Sequence, residues 1–121
     1  MDPDVLLADL REIAPQLEAM VILGEGGEPV ASTLPETAEF AAALARLLEA
    51  ARGLRPGGER AVERLHVTTG AGSVYLVAGR ARTIAAVTGT DAAPALVLYD
   101  LRTALARLER DPDPDPADAR A

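Results

Sequence analysis

The chain has 121 residues, enough for one domain with its own apolar core, and the absence of cysteine excludes disulfides, thiolate catalysis and the common structural zinc sites. Nineteen acidic residues against twelve arginines, with no lysine, leave a net charge of −7, the wrong sign for a nucleic-acid-binding face. No apolar run approaches the roughly 20 residues that span a bilayer, and the acidic start Met1-Asp2-Pro3-Asp4 is unlike a signal peptide, so a cytoplasmic protein with no membrane partner is expected.

The first element reads as a helix. Asp2 can cap it, Pro3 suits the first helical position, and Asp4 sits favourably near the positive end of the dipole. Val5, Leu6, Leu10 and Ile13 recur at helical spacing, and Pro15 ends the run. Met20-Val21-Ile22-Leu23 is apolar on both faces, which marks a central strand covered on both sides. Gly24-Glu25-Gly26-Gly27-Glu28 then forms a hairpin turn. Pro29-Val30-Ala31-Ser32 is the return strand, and its leading proline assigns it to a sheet edge.

Ser32 or Thr33 can cap the next helix, with Pro35 and Glu36 in its first turn; the helix runs to about Arg52 and ends at Gly53. Phe40, Leu44, Leu47 and Ala51 form the expected core stripe. Ala38, Ala41, Ala42 and Ala45 cluster beside it, with Leu48 at the border. Small side chains there let another helix approach closely. Alanine is also the best helix former, so an alanine-rich chain supplies such a cluster for that reason alone.

Pro56-Gly57-Gly58 marks a loop over 54–60, and three strands follow. The first, 61–69, puts Leu65 and Val67 on one face and Arg64, His66 and Thr68 on the other. The second covers 73–78 and the third 82–88, separated by turns at Gly70-Ala71-Gly72 and Gly79-Arg80-Ala81. The last helix is expected from about Asp91 to Glu109, with Val97, Leu101, Leu105 and Leu108 on its apolar face. Asp111-Pro112-Asp113-Pro114-Asp115-Pro116 can neither continue a helix nor pair as a strand. The domain is therefore expected over 1–110, with 111–121 a disordered acidic tail. The order is α-β-β-α-β-β-β-α; tight turns imply antiparallel pairing, and strands apolar on both sides call for helices on both faces, an α/β (α+β) fold.

Catalytic chemistry is not assembled by these residues. The glycine turn cannot be a phosphate loop, because such a loop needs a lysine and opens a helix, whereas this turn joins two strands. His66 is the only histidine, and its neighbours Arg64 and Thr68 are neither metal ligands nor orienting carboxylates, so it reads as a surface strand residue. Glu25, Glu28, Glu36, Glu39, Glu59 and Glu63 read as solvated charge. Phe40, Tyr75 and Tyr99 are too few to build a stacking platform for bases or sugars. No catalytic, cofactor or metal site is expected.

The ordered set of elements resembles the Roadblock/LC7 family. Val21-Ile22-Leu23, the turn 24–28 and Pro29-Val30-Ala31-Ser32 match its first hairpin, with glycines at 24 and 26 where aspartates are frequent. The alanine-rich helix 35–52 and Leu96-Val97-Leu98-Tyr99-Asp100-Leu101-Arg102 match its second and last helices. The resemblance implies a five-stranded antiparallel sheet sandwiched by helices. It implies a homodimer, or a heterodimer with a paralogue, joined through the second helix and the edge strand after it. It also implies a bacterial, non-enzymatic regulator or scaffold that binds a Ras-like small GTPase and modulates its GTP hydrolysis. Ala38, Ala41, Ala42, Ala45 and Leu48 are then the expected dimer seam. Arg52, Arg55 and Arg60 flank the loop beside that seam and are candidates to contact the GTPase, one of them as an arginine supplied in trans. The alternative is a ligand-sensing or adaptor module with a small-molecule pocket, although few polar groups converge in the sequence to orient a ligand.

Overall fold

A computed structural model describes residues 2–35, 37–54 and 64–110. Helix α1 (Pro3–Ile13) starts as its sequence dictates: the Asp2 carboxylate accepts from the Asp4 backbone N–H at 2.9 Å, with Pro3 next to it. Strand β1 (Leu17–Leu23) begins three residues earlier than its apolar core suggests, and β2 (Pro29–Ser32) returns beside it. The turn between them is closed by Gly24 N–H donating to the Glu28 carbonyl at 2.8 Å and Gly27 N–H to the Gly24 carbonyl at 3.0 Å. Gly27 takes φ of +82° there, a conformation glycine adopts freely.

Helix α2 (Ala38–Arg52) starts later than expected. Neither of the expected caps is available. The Thr33 hydroxyl accepts from the Met20 backbone N–H at 2.9 Å, so it extends the β1–β2 pairing, while the Ser32 hydroxyl accepts from the Leu34 N–H at 2.9 Å in a local turn. The helix begins only after Thr37, which takes helical dihedrals itself and whose hydroxyl donates back to the Leu34 carbonyl at 3.2 Å. Glu36, also expected in that first turn, lies outside the described residues.

Strands β3 (Arg64–Thr69), β4 (Gly72–Ala78) and β5 (Thr83–Thr88) follow, then helix α3 (Pro94–Arg110). The expected strand residues 61–63 lie outside the described residues, as does the expected tail 111–121. The last helix begins at Pro94 and not Asp91, in keeping with proline's preference for the first helical turn. No helix among the described residues is long and apolar enough to cross a membrane.

The sheet order is β2-β1-β5-β4-β3, with every neighbouring pair antiparallel. The last strand in sequence is thus inserted at the centre, between β1 and β4, and the proline-led β2 is an edge as its sequence requires. Gly72 opens β4 with φ of +153°, and a Cβ there would collide with the backbone carbonyl of Thr88 on β5. Only glycine lets the two strands come that close.

Two-residue alternation divides the core in two. Met20, Ile22, Tyr75, Val77, Ile84 and Ala86 face α1 and α3, and the expected stripe Val97, Leu101, Leu105 and Leu108 packs on them. Val21, Leu23, Leu76 and Ala85 face the other way, towards α2. This is a five-stranded antiparallel sheet with helices on both faces, the α+β architecture that the sequence implies.

Candidate functional site

Among the described residues helix α2 lies alone on its side of the sheet, and its roll decides what it exposes. Only Ala41 and Leu44 are fully buried, with Phe40 and Leu48 packed at the margins of the same cluster. The buried stripe is therefore turned from the expected Phe40-Leu44-Leu47-Ala51 line towards Ala41 and Leu48. Of those two residues, both expected at an interface with another helix, Ala41 is only 4 % exposed and belongs to the chain's own core, while Leu48 is half-buried at its margin.

Ala38, Ala42 and Ala45 remain on the outer face, all exposed. Their spacing of four and three residues makes one stripe along the helix. Glu49 continues it and holds Arg52 through an ion pair of 2.9 Å, both side chains open to solvent. Arg52 thus stands at the C-terminal end of the stripe. Arg55 and Arg60, named with it in the sequence, lie outside the described residues.

Beside α2 the sheet is incompletely covered. Leu65 and Val67 of β3, Val74 of β4 and Val87 of β5 lie on the face that α2 occupies, and all four are only half-buried. Strand β3 is also the outermost strand, with no further partner among the described residues. An exposed stripe of small residues, a half-open apolar strip and a free strand edge are therefore contiguous in this part of the molecule. An unpaired edge is a ready template for another strand. The sequence carried the signal for the strip in the alternation of Leu65 and Val67, but nothing in one sequence tells how much of the face a single helix will cover.

His66 sits on the opposite face of β3. Its ring stacks on Tyr75 with centroids 4.2 Å apart and 13° between planes, and its Nε2 lies 3.0 Å from the Thr68 hydroxyl. These are the contacts of an edge-strand side chain resting on its neighbours. Among the described residues no three His, Asp or Glu side chains gather in an arrangement that could hold a metal ion. The backbone N–H groups of Gly24 and Gly27 are engaged within their own turn and are not presented to a ligand.

No family model and no curated protein matches the sequence. Solved structures do match. A Roadblock/LC7 domain from Streptomyces avermitilis is 22% identical and superposes with a TM-score of 0.78, covering 91% of this chain and 97% of that one. MglB of Myxococcus xanthus is 17% identical with a TM-score of 0.75, covering 88% and 91% of the two chains. A chain of the LokiProfilin2/rabbit actin complex is 18% identical with a TM-score of 0.66, covering 91% and 98%. At these identities the likeness is one of fold, and that fold is the Roadblock/LC7 one.

Proposed function

We propose that this chain acts as a Roadblock/LC7-type dimeric scaffold that binds a Ras-like small GTPase and does no chemistry of its own. The observation that carries the dimer is the half-covered α2 face running into the free edge of β3. A second copy placed there would bring its own Ala38, Ala42 and Ala45 against the first set at short interhelical distance. It would also cover Leu65 and Val67, and pairing of the two β3 edges would satisfy their outward backbone groups. A monomer leaves all of these exposed.

The partner class rests on the sequence resemblance in the hairpin 21–32 and the last helix, together with the fold shared with MglB. The profilin likeness shows that one fold can serve different partners, so the sequence motifs and not the fold favour the GTPase. Regulation would pass through contacts. The dimer would hold the GTPase's own catalytic loop in place, or would supply Arg52, Arg55 or Arg60 in trans. Arg52 would first have to leave Glu49, an exposed pair that costs little to break. The cytoplasm, where such GTPases meet GTP, is the compartment this function requires.

Light scattering at micromolar concentration should give twice the mass of one chain. Capture of a GTPase encoded beside this protein, loaded in turn with GDP and a GTP analogue, should depend on the nucleotide. Equal or absent capture in both states rejects the regulatory role. Single-turnover hydrolysis with Arg52→Ala, Arg55→Ala and Arg60→Ala then separates the two mechanisms. Loss of acceleration in one variant identifies an arginine finger; unchanged acceleration in all three leaves loop positioning.

A further inference from the structure

The turn between β4 and β5 forms one wall of an open cleft of about 800 Å³. Arg102, Leu105 and Glu109 of α3, Leu48 and Arg52 of α2 and Gly24 and Glu25 of the β1–β2 turn also line it, around the end of the sheet. Five of the chain's twelve arginines line this one concavity: Arg52, Arg64, Arg80, Arg82 and Arg102. Among the described residues of the lining, Glu25 and Glu109 are the acidic ones, a local excess of three positive charges there in a chain whose net charge is −7. Arginines so gathered repel one another unless something negative is shared among them.

Of the two acidic residues among the described lining, Glu25 is exposed in the β1–β2 turn and Glu109 is already engaged. Glu109 is committed to the β4–β5 turn. One of its oxygens accepts from the backbone N–H groups of Ala81 and Arg82 at 3.1 and 3.4 Å, and the other lies 3.8 Å from Arg80 Nε. Gly79 leaves the room for this carboxylate, since a Cβ there would collide with it. Arg52 is held by Glu49. Among the described residues Arg64, Arg82 and Arg102 have no carboxylate within ion-pair distance. Nη1 of Arg82 is shut off from solvent and has no hydrogen-bond acceptor among those residues. An N–H without an acceptor is costly, and the half-buried Arg82 side chain can turn it towards an oxyanion in the cleft.

We propose that this cleft binds a phosphate-type oxyanion carrying more than one negative charge. The partner is the phosphate group of a soluble metabolite or of a lipid headgroup. A phosphomonoester brings about −1.5 to −2 charge and three terminal oxygens, enough for several guanidinium forks, whereas a single carboxylate brings one charge and two oxygens. Val77 and Leu105, which share one face of the sheet, give the rest of the ligand an apolar surface. No aromatic ring lines the cleft, so recognition is of the phosphate and not of a nucleobase. Ala38, Ala42 and Ala45 do not line the cleft, which meets the proposed partner surface only at Leu48 and Arg52, and Arg64, Arg80, Arg82 and Arg102 carry the site without the GTPase reading.

The test is a titration of the full chain with inorganic pyrophosphate at constant ionic strength, followed by amide NMR. The amides of Gly79, Arg80, Ala81 and Arg82 should shift together and saturate at one ligand per chain. Arg64→Ala and Arg102→Ala alter exposed side chains, so the fold should persist, and each should weaken binding about tenfold. Arg82→Gln should abolish the rise in melting temperature that pyrophosphate causes in the parent protein. Arg11→Ala, on α1 and away from the cleft, should bind as the parent does. Shifts that fail to saturate, or variants at 64 and 102 that bind like Arg11→Ala, overturn the site. Phosphatidylcholine vesicles with and without phosphatidylinositol 4,5-bisphosphate distinguish the two sources. Capture that inositol trisphosphate reverses assigns a headgroup, and saturable pyrophosphate binding without capture assigns a soluble ligand.

Discussion

The two faces of the sheet are made from the same strands and finished differently. On one face α1 and α3 lie together, and Met20, Ile22, Tyr75 and Ile84 beneath them are at most 1 % exposed. Five residues of α3 are buried there. On the other face α2 lies alone among the described residues, with two buried side chains, and Leu65, Val67, Val74 and Val87 stay half-open. Strand alternation supplies apolar side chains to both faces, so the difference comes from the helices: two on one side, one on the other. The double layer is where one chain stores its stability. The single layer is where it can gain more by meeting another molecule.

The largest expected effect tests the double layer. Leu101 is fully buried at the centre of α3's stripe, and Leu101→Ala should cost about 3–4 kcal/mol in a denaturant unfolding curve, through lost transfer energy and a cavity. A cost near 1 kcal/mol would mean that the two-helix face is loosely packed and that the proposed asymmetry is wrong.

Next comes the outer face of α2. Ala45→Glu places a charge on the small-residue stripe without touching the chain's own core, because Ala45 is exposed. If the stripe is a dimer seam, association should weaken by roughly a hundredfold, the scale of a desolvated unpaired charge, while far-UV circular dichroism stays unchanged. A variant with unaltered mass in light scattering would place the stripe in solvent.

Leu48→Ala reports on the boundary between the two. Leu48 is half-buried against the α2-side cluster, so its removal should cost about 1–2 kcal/mol, well below Leu101→Ala. If a second chain covers this face, that cost should grow with protein concentration. A concentration-independent cost equal to that of Leu101→Ala would mean that α2 already seals its side of the sheet.

Legibility in the sequence follows the same asymmetry. Val97, Leu101, Leu105 and Leu108 stand at helical spacing among polar residues, so they point α3 at the core without ambiguity. Proline at 29 and glycine at 27 announce the edge strand and the turn, and both behave as their backbone chemistry requires. Alanine makes up seven of α2's fifteen residues and carries almost no directional information, so its roll was misjudged and Ala41 proved to belong inside. The start of α2 was misplaced for a different reason. Thr33 is a good cap by type, but tertiary pairing with Met20 claimed its hydroxyl first. The arginine cleft was not legible at all, because its residues come from α2, β3, the β4–β5 turn and α3, which meet only through the strand order.

The smallest expected effect sharpens the claim about what holds the double layer. Asp9 of α1 and Arg107 of α3 approach to 3.8 Å, so one polar pair spans the two helices, and the amide of Gln16, in the turn after α1, donates to the Asp100 carboxylate of α3 at 3.3 Å. Both members of the ion pair are more than a third exposed. Water therefore screens their attraction, and ordering two long side chains offsets much of what remains. Beneath them lie Leu6, Leu7 and Leu10 of α1 with Leu101, Ala104 and Leu108 of α3, all buried in one cluster. Apolar packing of that kind is worth several times an exposed ion pair. Asp9→Asn should accordingly shift the unfolding free energy by less than about 0.5 kcal/mol, and added salt should not widen the gap between variant and parent. A loss above about 1 kcal/mol that salt abolishes would show that charge, and not burial, fastens α1 to α3.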